Sequence, residues 1–171
     1  FFARQEIEDI YLLLRFLNNP LDDVSLYGVL RSPYFGLSDT ELFWMCEGSR
    51  RPLFIRLRDR STSDPRLERC WALLHRWEER SRRIPVGDLR TEVLEGSGIY
   101  GVYAALDEGE QMMANLDKLR ALVRSAQSVG FLALPDLVGM LQMRTDEDLR
   151  EGQAQLDTQS GDSVNLMTIH A

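Results

Sequence analysis

Lysine, histidine and cysteine are scarce in this sequence. Lys118 is the only lysine among 171 residues, so the positive charge is almost all arginine, and there are two histidines and two cysteines. Two cysteines cannot form a disulfide framework, and the spacing of Cys46 and Cys70 fits no zinc-binding pattern. Each lies in an apolar helical stretch, where a free cysteine usually behaves as a small buried hydrophobic residue. We therefore expect buried, reduced cysteines and a cytoplasmic, reducing environment.

Long apolar runs and nucleotide-binding motifs are missing as well. No apolar run approaches the ~20 residues that a membrane-spanning helix needs, so we expect no membrane partner. The sequence has no GxxxxGK[ST] loop to hold phosphates, since Lys118 lies within NLDKLR in the middle of a predicted helix. His75 has no second ligand nearby, which argues against a metal site. We expect no ATP hydrolysis, cofactor or metal in these residues on their own.

The patterns that are present are overwhelmingly helical, and they predict a mostly α fold. Apolar residues recur with a period of 3.6 residues, and Ser38 with Glu41 has the spacing of a capping box. Helices are predicted over residues 6–17, 22–30 and 39–47, from Pro65 past Trp77 (the longest helix), and over 84–98, 108–128 and 135–143. Residues 99–106 are ambiguous between helix and extended chain, and residues 50–62 and 144–162 are predicted as polar, irregular loops.

The last eight residues, VNLMTIHA, predict a buried β-strand. No other strand is predicted, and a lone strand is not stable. We therefore expect residues 164–171 to belong to a sheet that other parts of a larger protein supply.

Several stretches resemble superfamily 1 DNA helicases of the UvrD/Rep group. VNLMTIHA resembles the start of motif V in that group, and FFARQEIEDIYLLLRFLNNPLDD resembles the segment after motif IV. LRSPYFGLSDTEL, SGIYGVYAAL and GEQMMANLDKLRALV resemble the RecB/AddA branch (exonuclease V beta and AddA-type proteins). Residues 21–160 would then be a helical insertion of the 2B type. Residues 1–20 would lie at the edge of the RecA-like 2A domain, and residues 161–171 would be a 2A strand with a truncated motif V.

The resemblance implies an ATP-dependent 3′–5′ DNA helicase for double-strand break repair, in which this region regulates the motor and positions DNA. ATP and Mg²⁺ would bind elsewhere in the larger protein. The resemblance also suggests that the larger protein has a nuclease activity and works with a second helicase–nuclease subunit. Thr168 and His170 match motif V positions that contact the backbone of single-stranded DNA, although in the isolated chain a strand threonine and an exposed histidine are the simpler expectation. Arg4 and Glu6 match motif positions near the nucleotide cleft. For them the simpler expectation is a solvent-facing first helical turn, in which the helix dipole favours Glu6.

One basic block stands out independently of that resemblance. Between Arg50 and Arg83 there are eleven arginines and five acidic residues, a local net charge of +6 in a chain whose net charge is −7. On a helical wheel Arg69, Arg76, Arg80 and Arg83 fall within about 60° of one another, roughly opposite the apolar stripe. Such a face can bind successive phosphates of DNA. It can equally be a solvated arginine face, or the docking face of a helical protein-interaction module.

The three tryptophans have two possible roles. Trp44, Trp71 and Trp77 could be platforms on which nucleic-acid bases stack. Their helical spacing favours the alternative, in which all three belong to the hydrophobic core.

Overall fold

The computed structural model describes residues 2, 4–84, 89, 93, 98–129 and 133–159, with backbone alone for 127–129 and 148–159. Every regular element within these residues is helical, which confirms the mostly α prediction. The helices are α1 Gln5–Asn18, α2 Asp23–Arg31, α3 Asp39–Cys46, α4 Leu53–Arg60, α5 Pro65–Ser81, α6 Ile99–Ala104, α7 Gly109–Val129 and α8 Leu134–Gln159, with a 3₁₀ turn Ser61–Ser63 between α4 and α5.

Side-chain caps start three of the helices where the sequence predicts. The Asp22 side chain accepts a hydrogen bond from the Ser25 amide at 3.0 Å at the start of α2. Ser38 and Glu41 form the predicted capping box of α3. Asp64 accepts from the Arg66 amide at 2.7 Å, one residue before Pro65 at the start of α5. Each cap satisfies backbone amides that have no partner within the helix.

Two predicted loops are helical instead. Residues 50–62 contain α4, which forms because Leu53 and Leu57 bury one face four residues apart and because Asp23 of α2 accepts a hydrogen bond from the Leu53 amide at 2.7 Å. Residues 144–159 continue α8, which makes α8, at 26 residues, longer than α5, at 17. Gln142 donates to Asp146 at 2.9 Å along the exposed side of α8, so this polar helix gains i,i+4 support.

Helix α1 is the centre of the fold. Nine of its residues are buried, and it contacts α2, α5, α7 and α8. The inward face of α7 has Leu116, Leu119 and Val123 buried and Met112 and Leu122 partly buried against the same core. Burial of this much apolar surface is the main stabilising contribution to such a bundle.

Other predictions divide between confirmed and untested. The ambiguous stretch after Gly98 is a short helix, α6, and Gly98 itself has a positive φ of 79°. Most of the predicted helix over 84–98 lies outside the described residues, although Leu89 and Val93 are helical and buried. The predicted strand over 164–171 also lies outside them, and the proposed domain boundaries stay predictions. Among the described helices, none is long and apolar enough to cross a membrane.

Candidate nucleic-acid interface

Helix α5 carries the basic face that the sequence predicts. Arg69, Arg76 and Arg80 are exposed on α5, and Arg83 is exposed two residues beyond its last turn. Arg69 and Arg80 are eleven residues apart, a rise of about 16 Å along the helix. The buried residues Cys70, Leu74 and Trp77 lie on the other side, which leaves the arginine side open to solvent. We call these four arginines the Arg face.

Acidic neighbours neutralise little of the positive charge at the two ends of the Arg face. Glu79 approaches Arg83 at 3.8 Å, and both side chains are largely exposed, so this ion pair is weak. Arg82, by contrast, pairs with the buried Glu78 and does not share the face. Arg69 makes no ion pair or hydrogen bond within the described part of the chain. Arg69 and Arg83 therefore retain most of their charge for a partner.

Aromatic residues and one arginine fix α5 on the body of the protein. Trp77 is 1% exposed, and its ring centroid lies 5.5 Å from that of Tyr34 and 6.4 Å from that of Phe35. Arg66 donates to Glu41 at 2.8 Å and to the Gly36 carbonyl at 3.2 Å. The stretch LRSPYFGLSDTEL thus forms the surface against which α5 packs.

The arginines before α5 have several different roles. Arg56 is mostly buried and donates to the carbonyls of Cys46 and Ser49 at 2.8 and 3.3 Å, so it is a structural residue. Arg51 and Arg58 both pair with Asp59, at 2.6 and 3.2 Å. The remaining two, Arg50 and Arg60, are exposed.

The tryptophans divide between core and surface. Trp77 is core, as predicted. Trp71 is half-buried and stacks on His75 with 4.7 Å between ring centroids, so it is committed to a protein contact. The core prediction is wrong for Trp44, which is 55% exposed beside Phe43, itself 59% exposed. Their rings meet edge to face at 5.6 Å on the outer side of α3, because the short α3 buries only Leu42 and Met45.

The expectation for Glu6 is wrong, while that for Arg4 is confirmed. Arg4 is exposed and approaches Glu108 at 3.7 Å. Glu6 is not solvent-facing: it is 2% exposed and accepts a hydrogen bond from the Asn115 side chain of α7 at 2.6 Å. Burial of the central helix α1 from its first turn onwards outweighs the usual exposure of a first-turn acid.

A second buried carboxylate lies one turn further along α1. Asp9 is 4% exposed and accepts hydrogen bonds from the Tyr103 hydroxyl and, at 2.7 Å, from the Gln5 side chain. Burial raises the pKa of the Asp9 carboxyl, although these hydrogen bonds act in the opposite direction. Burial also raises the pKa of Tyr103, and the Asp9 charge adds to the effect. Sequence reasoning missed Asp9, and its only signal was a position on the apolar face of α1.

Cysteine burial agrees with the prediction for Cys70 and only partly for Cys46. Cys70 is 3% exposed, and burial raises the pKa of its thiol to about 11. Cys46 is half-buried at the end of α3. Among the described residues no group of three or more His, Cys, Asp and Glu could hold a metal ion. Thr168 and His170 lie outside the described residues, and their contacts with DNA stay predictions.

Comparison with known proteins gives a consistent set of relatives. The chain is 28% identical to AddA, a subunit of the ATP-dependent helicase/nuclease, from Bacillus cereus strain B4264. The proteins of the same name from Bacillus mycoides strain KBAB4 and Thermoanaerobacter pseudethanolicus are 27% and 25% identical. Each match covers 99% of the chain but 14% of the relative, and no family model matches. The chain is thus similar to one region of a helicase/nuclease protein, which supports the resemblance to the RecB/AddA branch.

Proposed function

We propose that residues 21–160 form the helical 2B-type subdomain of an ATP-dependent 3′–5′ DNA helicase/nuclease, with residues 1–20 and 161–171 at the edge of its RecA-like 2A domain. Its role is to position DNA and to regulate the motor, while ATP and Mg²⁺ bind elsewhere in the same polypeptide. The proposal also includes action with a partner subunit in double-strand break repair, in the cytoplasm. Similarity along 99% of the chain to AddA proteins of the ATP-dependent helicase/nuclease supports this assignment.

The observation that carries the DNA contact is the Arg face. Three exposed guanidinium groups line one side of α5, which is anchored by Trp77, and a fourth, that of Arg83, follows its last turn. Guanidinium groups bind phosphate oxygens by charge-assisted hydrogen bonds, and this binding needs no base-specific contact. Trp77 is buried and Trp71 is stacked on His75, so α5 offers phosphate contacts and no free aromatic platform for bases.

The test is a charge reversal on the Arg face. We expect Arg76→Glu with Arg80→Glu to weaken binding of a DNA duplex with a single-stranded tail at least about tenfold, and to make the dependence on log salt shallower by about 1.8. The matched control reverses Lys118 and Arg124, which are exposed on α7, and changes the net charge by the same amount. Equal affinity of the Arg-face variant and the control would contradict the DNA contact.

A second candidate is a helical protein-interaction module. The exposed pair Phe43 and Trp44 favours it, because large aromatic residues that remain exposed on a helix commonly mark protein contacts. Unchanged DNA binding after the Arg-face reversal, with loss of a co-purified acidic partner protein, would assign the Arg face to that function instead.

A further inference from the structure

A groove runs between α1 and α2, on a surface separate from the Arg face. Its volume is about 640 Å³, and it is open to solvent along one side. The wall from α1 consists of Gln5, Glu8, Asp9 and Leu12, and the wall from α2 consists of Val24, Tyr27, Gly28 and Arg31. Both sets follow i, i+3, i+4, i+7 spacing, so each is one face of its helix over two turns, about 10 Å.

The Leu12 side chain lies against the backbone of Gly28 at the base of the groove. A Cβ at Gly28 would lie 2.5 Å from Cδ1 of Leu12, so the absence of a side chain at Gly28 lets the two helices approach closely there. Val24 remains 76% exposed on one wall. Two neighbouring helix faces with the apolar residues Leu12 and Val24 between them form the kind of groove into which a third amphipathic helix packs.

The charges of the groove are unbalanced. On the α2 wall, Arg31 pairs with Asp39 at 3.1 Å, and the Tyr27 hydroxyl donates to the same carboxylate at 3.1 Å. On the α1 wall, no arginine or lysine of the described residues pairs with Glu8 or Asp9. Glu8 is exposed and thus presents uncompensated negative charge beside the apolar residues Leu12 and Val24, which repels nucleic acid and attracts a cationic side chain.

We propose that this groove binds an amphipathic helix with an arginine or lysine that pairs with Glu8, supplied by a part of the polypeptide outside residues 1–171. The inference rests on the proposed function in one respect, namely that the chain belongs to a longer protein: the curated relatives share 14% of their length with it. Two helix faces about 10 Å long cannot by themselves supply the about 800 Å² that each partner of a stable homodimer buries.

Photo-crosslinking in the full-length protein tests the occupant. We place p-benzoylphenylalanine at position 24 in place of Val24, irradiate the purified protein, and map crosslinked peptides by mass spectrometry. The matched control carries the same residue in place of Met143, which is 65% exposed on α8. The expected result is an intramolecular crosslink from position 24 to one segment with helical apolar periodicity and an arginine or lysine, absent from the control. A crosslink to DNA, to a second copy of the chain, or to nothing would overturn the proposal.

Charge variants separate this inference from the proposed function. Glu8→Arg is expected to lower the crosslink yield at position 24 about threefold, with Glu8→Gln between it and the parent protein. The same variants are expected to keep their DNA affinity, while reversal of Arg76 and Arg80 is expected to lower DNA affinity and leave the crosslink intact. A crosslink insensitive to the charge at Glu8 would overturn the pairing with a cationic side chain.

Discussion

Arg56 shows how one side chain can hold three helices together. Its guanidinium donates to the carbonyls of Cys46, the last residue of α3, and of Ser49. From its position on α4 it also approaches Asp23 of α2 at 3.6 Å. Asp23 in turn accepts from the Leu53 amide at the start of α4. A planar fork with five donors can make these contacts together, which the single ammonium of lysine cannot.

We therefore expect Arg56→Lys to lower the free energy of unfolding by about 1–3 kcal/mol, because the two carbonyls lose their partner in a mostly buried position. Urea unfolding followed by circular dichroism measures the change. Arg60→Lys is the control, since Arg60 is exposed and is expected to alter the value by less than about 0.5 kcal/mol. Similar midpoints for the two variants would show that Arg56 does not join the helices.

Asp9 links stability to pH. Burial raises the pKa of its carboxyl above the unfolded value, with Glu8 and Glu6 adding to the shift, so the folded state holds the proton more tightly than the unfolded chain does. This contribution to stability is fully present below the ordinary Asp pKa of about 3.9 and is lost as pH rises through the folded pKa.

The Asp9→Asn variant removes that dependence. We compare the free energy of unfolding of Asp9→Asn with that of the parent protein at each pH. The difference is expected to favour the variant more at pH 7.5 than at pH 4, because asparagine has no charge to desolvate while its carbonyl can still accept from Tyr103. Urea midpoints of both proteins at the two pH values give the comparison. Glu110→Gln, which removes an exposed carboxylate, is expected to show a much smaller difference. Equal pH effects in the two variants would contradict a raised pKa in the folded state.

At the level of elements, the connection between α6 and α7 requires a glycine at position 109, because no side chain fits there. A Cβ on Gly109 would lie 2.8 Å from the carbonyl carbon of Ala104 and closer still to its oxygen. These are backbone atoms, so the turn itself would have to shift. Gly139, in contrast, lies within α8 with nothing within 4 Å of an added Cβ.

The same substitution should then have opposite effects at the two glycines. Gly109→Ala is expected to destabilise the protein by about 1–3 kcal/mol through overpacking. Gly139→Ala is expected to stabilise it by about 0.5–1 kcal/mol, because alanine restricts the unfolded chain and favours the helix. Thermal unfolding of both variants measures the two changes in stability. An increase in stability for Gly109→Ala would mean that the α6–α7 connection is less tight than the structure shows.

Local signals in the sequence were sufficient for the helices that begin with a side-chain cap. Asp22, Ser38 and Asp64 are such caps, and α2, α3 and α5 begin beside them. Helix α4 was missed because its start depends on Asp23, thirty residues away, and on burial of Leu57 against other helices. The polar second half of α8 was missed for a similar reason, since a hydrophilic composition indicates a loop unless i,i+4 pairs are counted.

The candidate site was predictable to a similar extent. Helical periodicity on α5 was enough to predict the common direction of Arg69, Arg76 and Arg80, because a single helix determines it. The burial of Glu6 and Asp9 and the groove between α1 and α2 depend on how separate helices pack. Apart from the position of Asp9 on the apolar face of α1, contacts of that kind leave no mark in local sequence.

On the scale of the whole molecule, the chain is acidic, and the Arg face lies on its basic helix α5. The net charge of −7 repels DNA, so binding through the Arg face must overcome the field of the remainder. If the four arginines each contact a phosphate, affinity is expected to fall about a hundredfold between 50 and 200 mM salt. Fluorescence anisotropy of a labelled duplex over this range measures the slope. A slope near zero would mean that the Arg face makes no phosphate contacts.

Glu79 is expected to weaken DNA binding, because it places a negative charge beside the Arg face. It pairs with Arg83 at the edge of the Arg face, at 3.8 Å. Glu79→Gln removes a negative charge there and is expected to strengthen duplex binding about threefold at 50 mM salt, with the gain vanishing at high salt because screening shortens the reach of the charge. Glu147→Gln makes the same change of net charge on α8, where Glu147 is exposed. Equal gains in the two variants would mean that overall charge, rather than a phosphate-binding Arg face, governs the affinity for DNA.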